Sequence, residues 1–409
     1  DGHLDVYVAN DFWIPDFYFI NDGKGKFVNA KEKINHTSYY SMGVDAADYN
    51  NDNILDLAVV DMTPKDHYRN KTLMPSMDVQ RFNVLTDVFN FTRQYMFNSL
   101  QVGMGDGNFG EIANALEVSL TDWSWAPLIF DIDNDGYNDM YVTNGYLRDT
   151  KNQDYRNRQN ELRRQMKGKY TSKIAFKELL DCHSQSIDNV IYQNNNTFQY
   201  RDVTNASSNL DPTFSNGAAY GDLDNDGDLD LVISNLNQTA SILQNNSKRN
   251  NYLNIKLKAK NKANILHSKL TVYSEDQVIR RDYSFTRGYL SYMSEIVSFG
   301  IGNSTAIDSL VIEWPDGTQS IFNDLEVNQT ITKDFDSISD FRNNETSLPK
   351  LFKDATKLMQ AYQVVHKESF FDDFKEEILL PQKYSDLGPA LAIADINGDG
   401  LDDMYIGGS

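Results

Sequence analysis

Cysteine is nearly absent: Cys182 is the only one in 409 residues, so no internal disulfide can form. That alone does not assign a reducing compartment, because bacterial surface proteins often lack disulfides. Long apolar runs are missing too. No stretch reaches the roughly 18 apolar residues of a membrane span. Positive charge is short, with 38 Lys and Arg against 59 Asp and Glu and a formal net charge of −21. Nucleic-acid binding draws most of its affinity from basic patches, so that balance argues against it. The histidines are few and scattered, at His3, His36, His67, His183, His267 and His366. There is no Ser-His-Asp order, no HExxH pair and no phosphate-cradling glycine loop.

Acidic residues, in contrast, recur in one pattern. It reads Asp48-Tyr49-Asn50-Asn51-Asp52-Asn53-Ile54-Leu55-Asp56 and again Asp131-Ile132-Asp133-Asn134-Asp135-Gly136-Tyr137-Asn138-Asp139. It returns at Asp222-Leu223-Asp224-Asn225-Asp226-Gly227-Asp228-Leu229-Asp230 and at Asp395-Ile396-Asn397-Gly398-Asp399-Gly400-Leu401-Asp402-Asp403. A partial copy, Asp1-Gly2-His3-Leu4-Asp5, lines up with Asp226 to Asp230 and begins at residue 1, which suggests a piece of a longer chain. Oxygens at positions 1, 3, 5 and 9, with a backbone carbonyl at position 7, suit Ca2+, which takes about 6–8 oxygen ligands. The expected ligands are therefore Asp48, Asn50, Asp52, Ile54 and Asp56, then Asp131, Asp133, Asp135, Tyr137 and Asp139. Asp222, Asp224, Asp226, Asp228 and Asp230 form the third set. Asp395, Asn397, Asp399, Leu401 and Asp403 form the fourth, and Asp1, His3 and Asp5 the partial one. About one Ca2+ per loop is expected. Gly at position 6 permits the sharp turn, and Asn53, which tolerates the left-handed region, replaces it in one copy.

These are not EF-hands, which need a Glu at position 12 and flanking helices. Position 12 is Val59, Val142, Ile233 or Ile406, inside an apolar, often β-branched run that reads as a strand. Each loop is thus expected at the entry to a strand. Hairpin signals follow, in Phe17–Phe27, Asn98–Phe109 and Asn189–Phe198, with Asp-Gly or Asn-rich turns. Units of about 40–60 residues with four short strands point to β-propeller blades.

The expected class is all-β. Calcium-loop propeller blades occupy 1–250, interrupted at about 63–96 by a partly helical loop. A helical, basic insertion follows at about 146–186. A small β domain without acidic loops is expected over 251–335 and a polar linker over 336–350. The first blade of a further propeller should occupy 351–409. Arg148, Lys151, Arg156, Arg158, Arg163, Arg164, Lys167 and Lys169 make the second insertion the only basic island, read mainly as a solvated helical face or else as a docking surface. Cys182-His183 at its end reads as packing.

The acidic loops followed by apolar strands resemble FG-GAP/VCBS repeats of integrin-type propellers. Arg287-Gly288-Tyr289-Leu290-Ser291, Phe299-Gly300-Ile301-Gly302 and Trp314-Pro315-Asp316-Gly317 resemble the ASPIC/UnbV domain. Thr121–Pro127, Asn144–Asp149, Leu379–Pro381 and Ser385–Pro389 resemble bacterial proteins that join both. The stretch Ile265–Lys269 departs from that pattern by lacking its usual Gly. The resemblance implies an exported bacterial cell-surface or outer-membrane protein, often a lipoprotein near nutrient-uptake assemblies, with no single activity. The leading expectation is a non-enzymatic, calcium-stabilised scaffold that binds a protein partner. The runner-up is a glycan-binding module using Trp13, Tyr39, Tyr40, Trp123 and Trp125, and a propeller-type lyase or hydrolase ranks last. Extracellular calcium modules bind at about 10⁻⁴–10⁻³ M, which fits an exported setting.

Overall fold

A computed structural model describes residues 3–74, 78–194, 199–207, 211–247, 250–275, 277–339, 342–343, 373–376, 390–399 and 402–407. The fold is mostly β, and it divides into two compact units, residues 1–344 and 345–409. Asp1 and Leu401 lie outside the described residues.

The first unit opens with a run of antiparallel meanders. Strands β1 (Val6–Val8), β2 (Phe17–Asn21) and β3 (Phe27–Asn29) form one sheet. Strand β4 (His36–Ser38) pairs in parallel with β7 (Arg93–Tyr95). Strands β5 (Gly43–Ala47), β6 (Asp56–Val60), β8 (Ser99–Gly103) and β9 (Phe109–Glu111) form a second sheet. The third comprises β10 (Ser124–Phe130), β11 (Asp139–Asn144), β12 (Val190–Asn194) and β13 (Tyr200–Asp202). The fourth comprises β14 (Ser215–Gly221), β15 (Asp230–Asn235) and β16 (Ser241–Leu243). Loops 48–56, 131–139 and 222–230 each join the first strand of their sheet to the second, and the partial copy ending at Asp5 leads into β1.

Period-two alternation explains how these sheets stack. On the third sheet, Ile129, Met140, Val142 and Tyr192 face one way, into a core with Ala58, Val60 and Leu100 of the second sheet. Their neighbours Leu128, Phe130, Tyr141 and Ile191 face the other way, against Ala218, Leu231 and Ile233 of the fourth. Both faces are buried, so the strands read as continuous apolar runs rather than alternating ones. The first sheet meets the second through Tyr18 and Phe109, whose rings sit edge to face at 5.4 Å.

The insertions grow out of strand ends. Between β6 and β8 lie α1 (His67–Leu73) and α2 (Val79–Asn83), whose N-cap aspartates Asp66 and Asp78 accept from the amides of Arg69 and Arg81. Between β11 and β12 lie α3 (Gln153–Gln165), capped by Asn152, and α4 (Ser172–Leu180), capped by Thr171. Arg69 ties the two together. Its guanidinium grips Asp122 with two bonds of 2.8 and 2.9 Å and reaches Asp149 at 3.3 Å. Asp149 also holds His183 Nδ1 at 2.7 Å. Cys182 is buried beside this cluster.

The β domain follows within the same unit. Strand β17 (Asn251–Lys258) pairs antiparallel with β22 (Val297–Gly302) and in parallel with β25 (Gln329–Asp334). A second sheet runs β19 (Gln277–Asp282), β18 (Lys269–Ser274), β23 (Ala306–Glu313), β24 (Thr318–Glu326). A short hairpin, β20 (Thr286–Arg287) with β21 (Ser291–Tyr292), forms its own two-stranded sheet. Leu253, Ile255, Leu270, Val272, Phe299 and Leu310 fill the space between the two sheets. Trp314 is buried in the β23–β24 turn, with its Nε1 donating to Ser320. His267 takes a φ of 66°, the left-handed position that a glycine would favour in the Ile265–Lys269 turn.

Of the stretch read as a linker, Arg342 and Asn343 pair with Thr318 and Gln319, while 340–341 and 344–350 lie outside the described residues. In the second unit the described residues give a short helix, Asp373–Glu376, and a hairpin of Leu391–Ala394 with Asp403–Ile406 around the last acidic loop.

Candidate metal loops and the face they share

The acidic loops fold by one set of hydrogen bonds. In loop 131–139 the position-1 carboxylate accepts from the amides of Asp135 (3.2 Å) and Gly136 (2.8 Å), and Asp135 accepts from Tyr137 (2.8 Å). Loop 222–230 repeats this through Asp226, Gly227 and Asp228, and loop 48–56 through Asp52, Asn53 and Ile54. Loop 395–403 keeps the bond from the Asp399 amide to Asp395, at 3.2 Å. The turn needs a left-handed residue at position 6, supplied by Gly136, Gly227 and, at φ 68°, Asn53. Asn51, Asn134 and Asn225 at position 4 are left-handed as well, at φ 58 to 62°.

The position-9 aspartates do a second job that spacing alone does not reveal. One oxygen accepts from position 2 of the same loop: Tyr49 to Asp56 (2.8 Å), Ile132 to Asp139 (2.9 Å), Leu223 to Asp230 (2.9 Å), Ile396 to Asp403 (3.1 Å). In the first unit the other oxygen accepts from the end of the sheet's next strand, at Gly103, Asn194 and Asn245. Asp5 does the same for the amide of Asn21 at 2.9 Å, so the partial copy carries the same lock.

Neighbouring loops are also stitched together. Asn51 donates to the carbonyl of Gly136 and Asn134 to that of Gly227. Asn194 reaches the carbonyl of Tyr49 at 2.8 Å, and Asn245 that of Ile132 at 2.6 Å.

Burial and neighbouring carboxylates oppose ionisation of several acids in these loops. Burial, then Asp135, pushes Asp131 up to about 7. Burial likewise raises Asp56 to about 7 and Asp135 to about 6, and burial with Asp226 raises Asp228 to about 7. Among the described residues, carboxylate oxygens of Asp131, Asp133 and Asp139 gather within 4.8 Å of one another, as do those of Asp222, Asp224 and Asp226. Asp133 Oδ1 is buried with no hydrogen-bond partner among the described residues, while its other oxygen accepts from Gln193. An all-oxygen donor set with an orphaned carboxylate oxygen fits a hard divalent cation such as Ca2+. His3 sits against Gly23, whose position leaves no room for a side chain.

Within the first unit the β domain lies across loops 48–56 and 131–139. Arg280 donates to the carbonyl of Asn53 (2.6 Å), Gln277 to that of Asp135 (3.1 Å) and the Gly302 amide to that of Asn134 (2.9 Å). Arg281 is within electrostatic reach of Asp131 and Asp48. The short hairpin enters among the first strands of three sheets. Arg287 grips Asp45 of β5 with bonds of 2.8 and 2.9 Å and reaches the Tyr220 hydroxyl on β14 and the Ile129 carbonyl on β10.

The expected sugar-stacking aromatics fare differently. Trp123 is buried, stacked on Tyr146 at 3.6 Å, and Tyr40 is buried too, so these two do not offer open ring faces. Trp125 bonds the Gly145 carbonyl and packs on Tyr289. Trp13 is the one left half-exposed. In the basic island Arg158 pairs with Glu178 and Arg163 lies over Tyr170, whereas Lys151 and Arg156 turn toward the first insertion.

Repeated acidic-loop sheets capped by a separate β domain define a repeat-type all-β protein. Comparison with protein families agrees: residues 1–59 match the FG-GAP-like repeat and residues 258–337 match the ASPIC and UnbV domain. The chain therefore joins an FG-GAP-like repeat to an ASPIC/UnbV domain. A search of curated proteins finds no match. Among the described residues no helix is long and apolar enough to cross a membrane.

Proposed function

We propose that this chain is a non-enzymatic, calcium-stabilised binding or scaffold protein of the cell surface. The sheets act as blades of a β-propeller, each held at its acidic loop by one Ca2+. The ASPIC/UnbV domain clamps the loop face, and the two insertions present the surface that meets a protein partner, an outer-membrane nutrient-uptake assembly being the partner class. The observation that carries this reading is the wiring of the position-1 and position-9 carboxylates into backbone amides beneath a second domain. Acids committed in that way hold a fold together rather than act on a substrate. FG-GAP repeats are typical of extracellular proteins, where millimolar Ca2+ fills weak sites.

Thermal melts test the calcium role. Each site filled at 100 times its Kd adds about 2.7 kcal/mol to the native state, so chelation with EDTA should lower Tm by many degrees and re-added Ca2+ should restore it. A melt indifferent to EDTA overturns the reading. For the partner, cross-linked capture from outer-membrane fractions should be lost when α3 and α4 are replaced by a short loop; retention would remove the insertions from the interface.

A further inference from the structure

On the side where the two insertions converge there is a cavity of about 210 Å³. Four separated segments build it: the turn at Phe12, the approach to β5 at Tyr39 and Tyr40, the first insertion with Arg81 and Phe82, and the start of the second with Lys151 and Arg156. Its walls are mainly aromatic and thioether. Its charges are not balanced: three cations, Arg81, Lys151 and Arg156, face one carboxylate, Asp78. Arg81 meets Asp78 only at 4.0 Å. Lys151 sits 5.2 Å over the Phe12 ring and draws on Asp11 at longer range, and Arg81 lies 4.9 Å over the half-exposed Trp13. Among the described residues no carboxylate forms an ion pair with Lys151 or Arg156. Such a positive pocket in a chain of net charge −21 points to an anionic occupant. The volume is below the roughly 300–1,000 Å³ of drug-sized pockets, so the occupant is a single ring unit rather than an extended chain.

We propose that this cavity binds a small carboxylate with an apolar ring face, its anion held by Lys151 and Arg156 and its ring against Phe12, Tyr39 and Phe82. Two sources share that chemistry, a terminal sugar acid of a glycan and a free aromatic acid. The site goes beyond the scaffold reading and does not depend on it, since none of its lining residues belongs to an acidic loop.

Isothermal titration of the intact chain in saturating Ca2+ tests it, with methyl glucuronide and phenylacetate as probes and methyl glucoside and benzyl alcohol as their uncharged counterparts. One acid should bind about tenfold or more tighter than its neutral counterpart, the size of one charge-assisted hydrogen bond. Lys151→Met and Arg156→Gln should each weaken it about tenfold while leaving Tm nearly unchanged, because Arg156 is exposed and Met keeps an apolar stem in the partly buried place of Lys151 beside Phe12. Binding of the glucuronide alone identifies a sugar acid and binding of phenylacetate alone an aromatic acid. No heat with either acid, equal binding of the neutral counterparts, or variants that bind normally would each overturn the proposal.

Discussion

Asp16 illustrates how much of this chain rests on single buried carboxylates away from the acidic loops. It accepts from the Tyr7 hydroxyl (2.6 Å), the Asn10 amide (2.8 Å) and the Ser41 hydroxyl (2.8 Å), and burial pushes it up to about 6 despite those donors. An unfolded aspartate titrates near 3.9, so the folded state binds this proton more tightly. The linkage sign follows: the contribution of Asp16 is complete below about 4 and is lost as pH rises through about 6. Asp16→Asn cannot titrate. Thermal melts of both proteins between pH 4 and 7, at fixed Ca2+, should show the variant losing less stability across that window. Parallel curves would mean that the folded carboxyl is not raised. The same scale explains Asn53 and His267, which hold left-handed positions where a glycine would be easier. Asn53 was legible because Asn tolerates that region. His267 was not, because only the turn around it demands the conformation.

At the scale of elements, the acidic loops were legible because their spacing repeats, and the strands after them because their apolar, β-branched runs do. The alternation of Leu128, Ile129 and Phe130 onto two different cores is consistent with that pattern, whereas the register shifts at Ser124/Pro127 and Ser215/Ala218 are not visible in it. What spacing could not show is the stitching between loops. Asn194 and Tyr49 are separated by 145 residues, yet one side chain closes the carbonyls of Tyr49 and Asn138 together. Asn21 makes only the within-sheet version of this contact, to the Leu4 carbonyl at the surface. Removing the two side chains should therefore cost different amounts. Asn194→Ala leaves the buried Tyr49 carbonyl without its donor and the Asn138 carbonyl with only the longer bond from the Tyr200 hydroxyl, about 1–3 kcal/mol, whereas Asn21→Ala should cost under about 0.5 kcal/mol. Urea unfolding in saturating Ca2+ measures both, and equal losses would show that the loops are not coupled between sheets. The helices of the second insertion were legible in type from their periodicity, and the first insertion read as a partly helical loop from its mixture of polar and aromatic residues. Their joint anchorage on Arg69 was not, since Asp122 and Asp149 lie 53 and 80 residues away in sequence.

At the scale of the first unit, the β domain and the acidic loops within it are packed as one structure rather than as two domains in series. Strand β22 passes so close to loop 131–139 that a Cβ on Gly300 would fall 2.1 Å from Asp131 Oδ2 and 2.4 Å from the Asn134 backbone. The φ of Gly300 is not left-handed, so its need is for space alone. On the proposed calcium reading, that glycine lets the domain seal a filled loop without displacing its first ligand. Gly300→Ala must move either the strand or the carboxylate. Overpacking of this kind costs about 1–3 kcal/mol. The expected result is a Tm lowered by several degrees together with one fewer Ca2+ bound per chain, read by equilibrium dialysis. Gly217→Ala is the matched control: it crowds the Tyr289 carbonyl and Ser291 hydroxyl of the hairpin away from any acidic loop, so it should lower Tm without changing the calcium count. If Gly300→Ala keeps its full calcium complement while losing stability, the domain is packed on the loop without sealing it. If it loses calcium with no change in Tm, the ion at that loop does not hold the two parts together. Only the joint loss fits a β domain whose docking and a loop whose cation depend on one another.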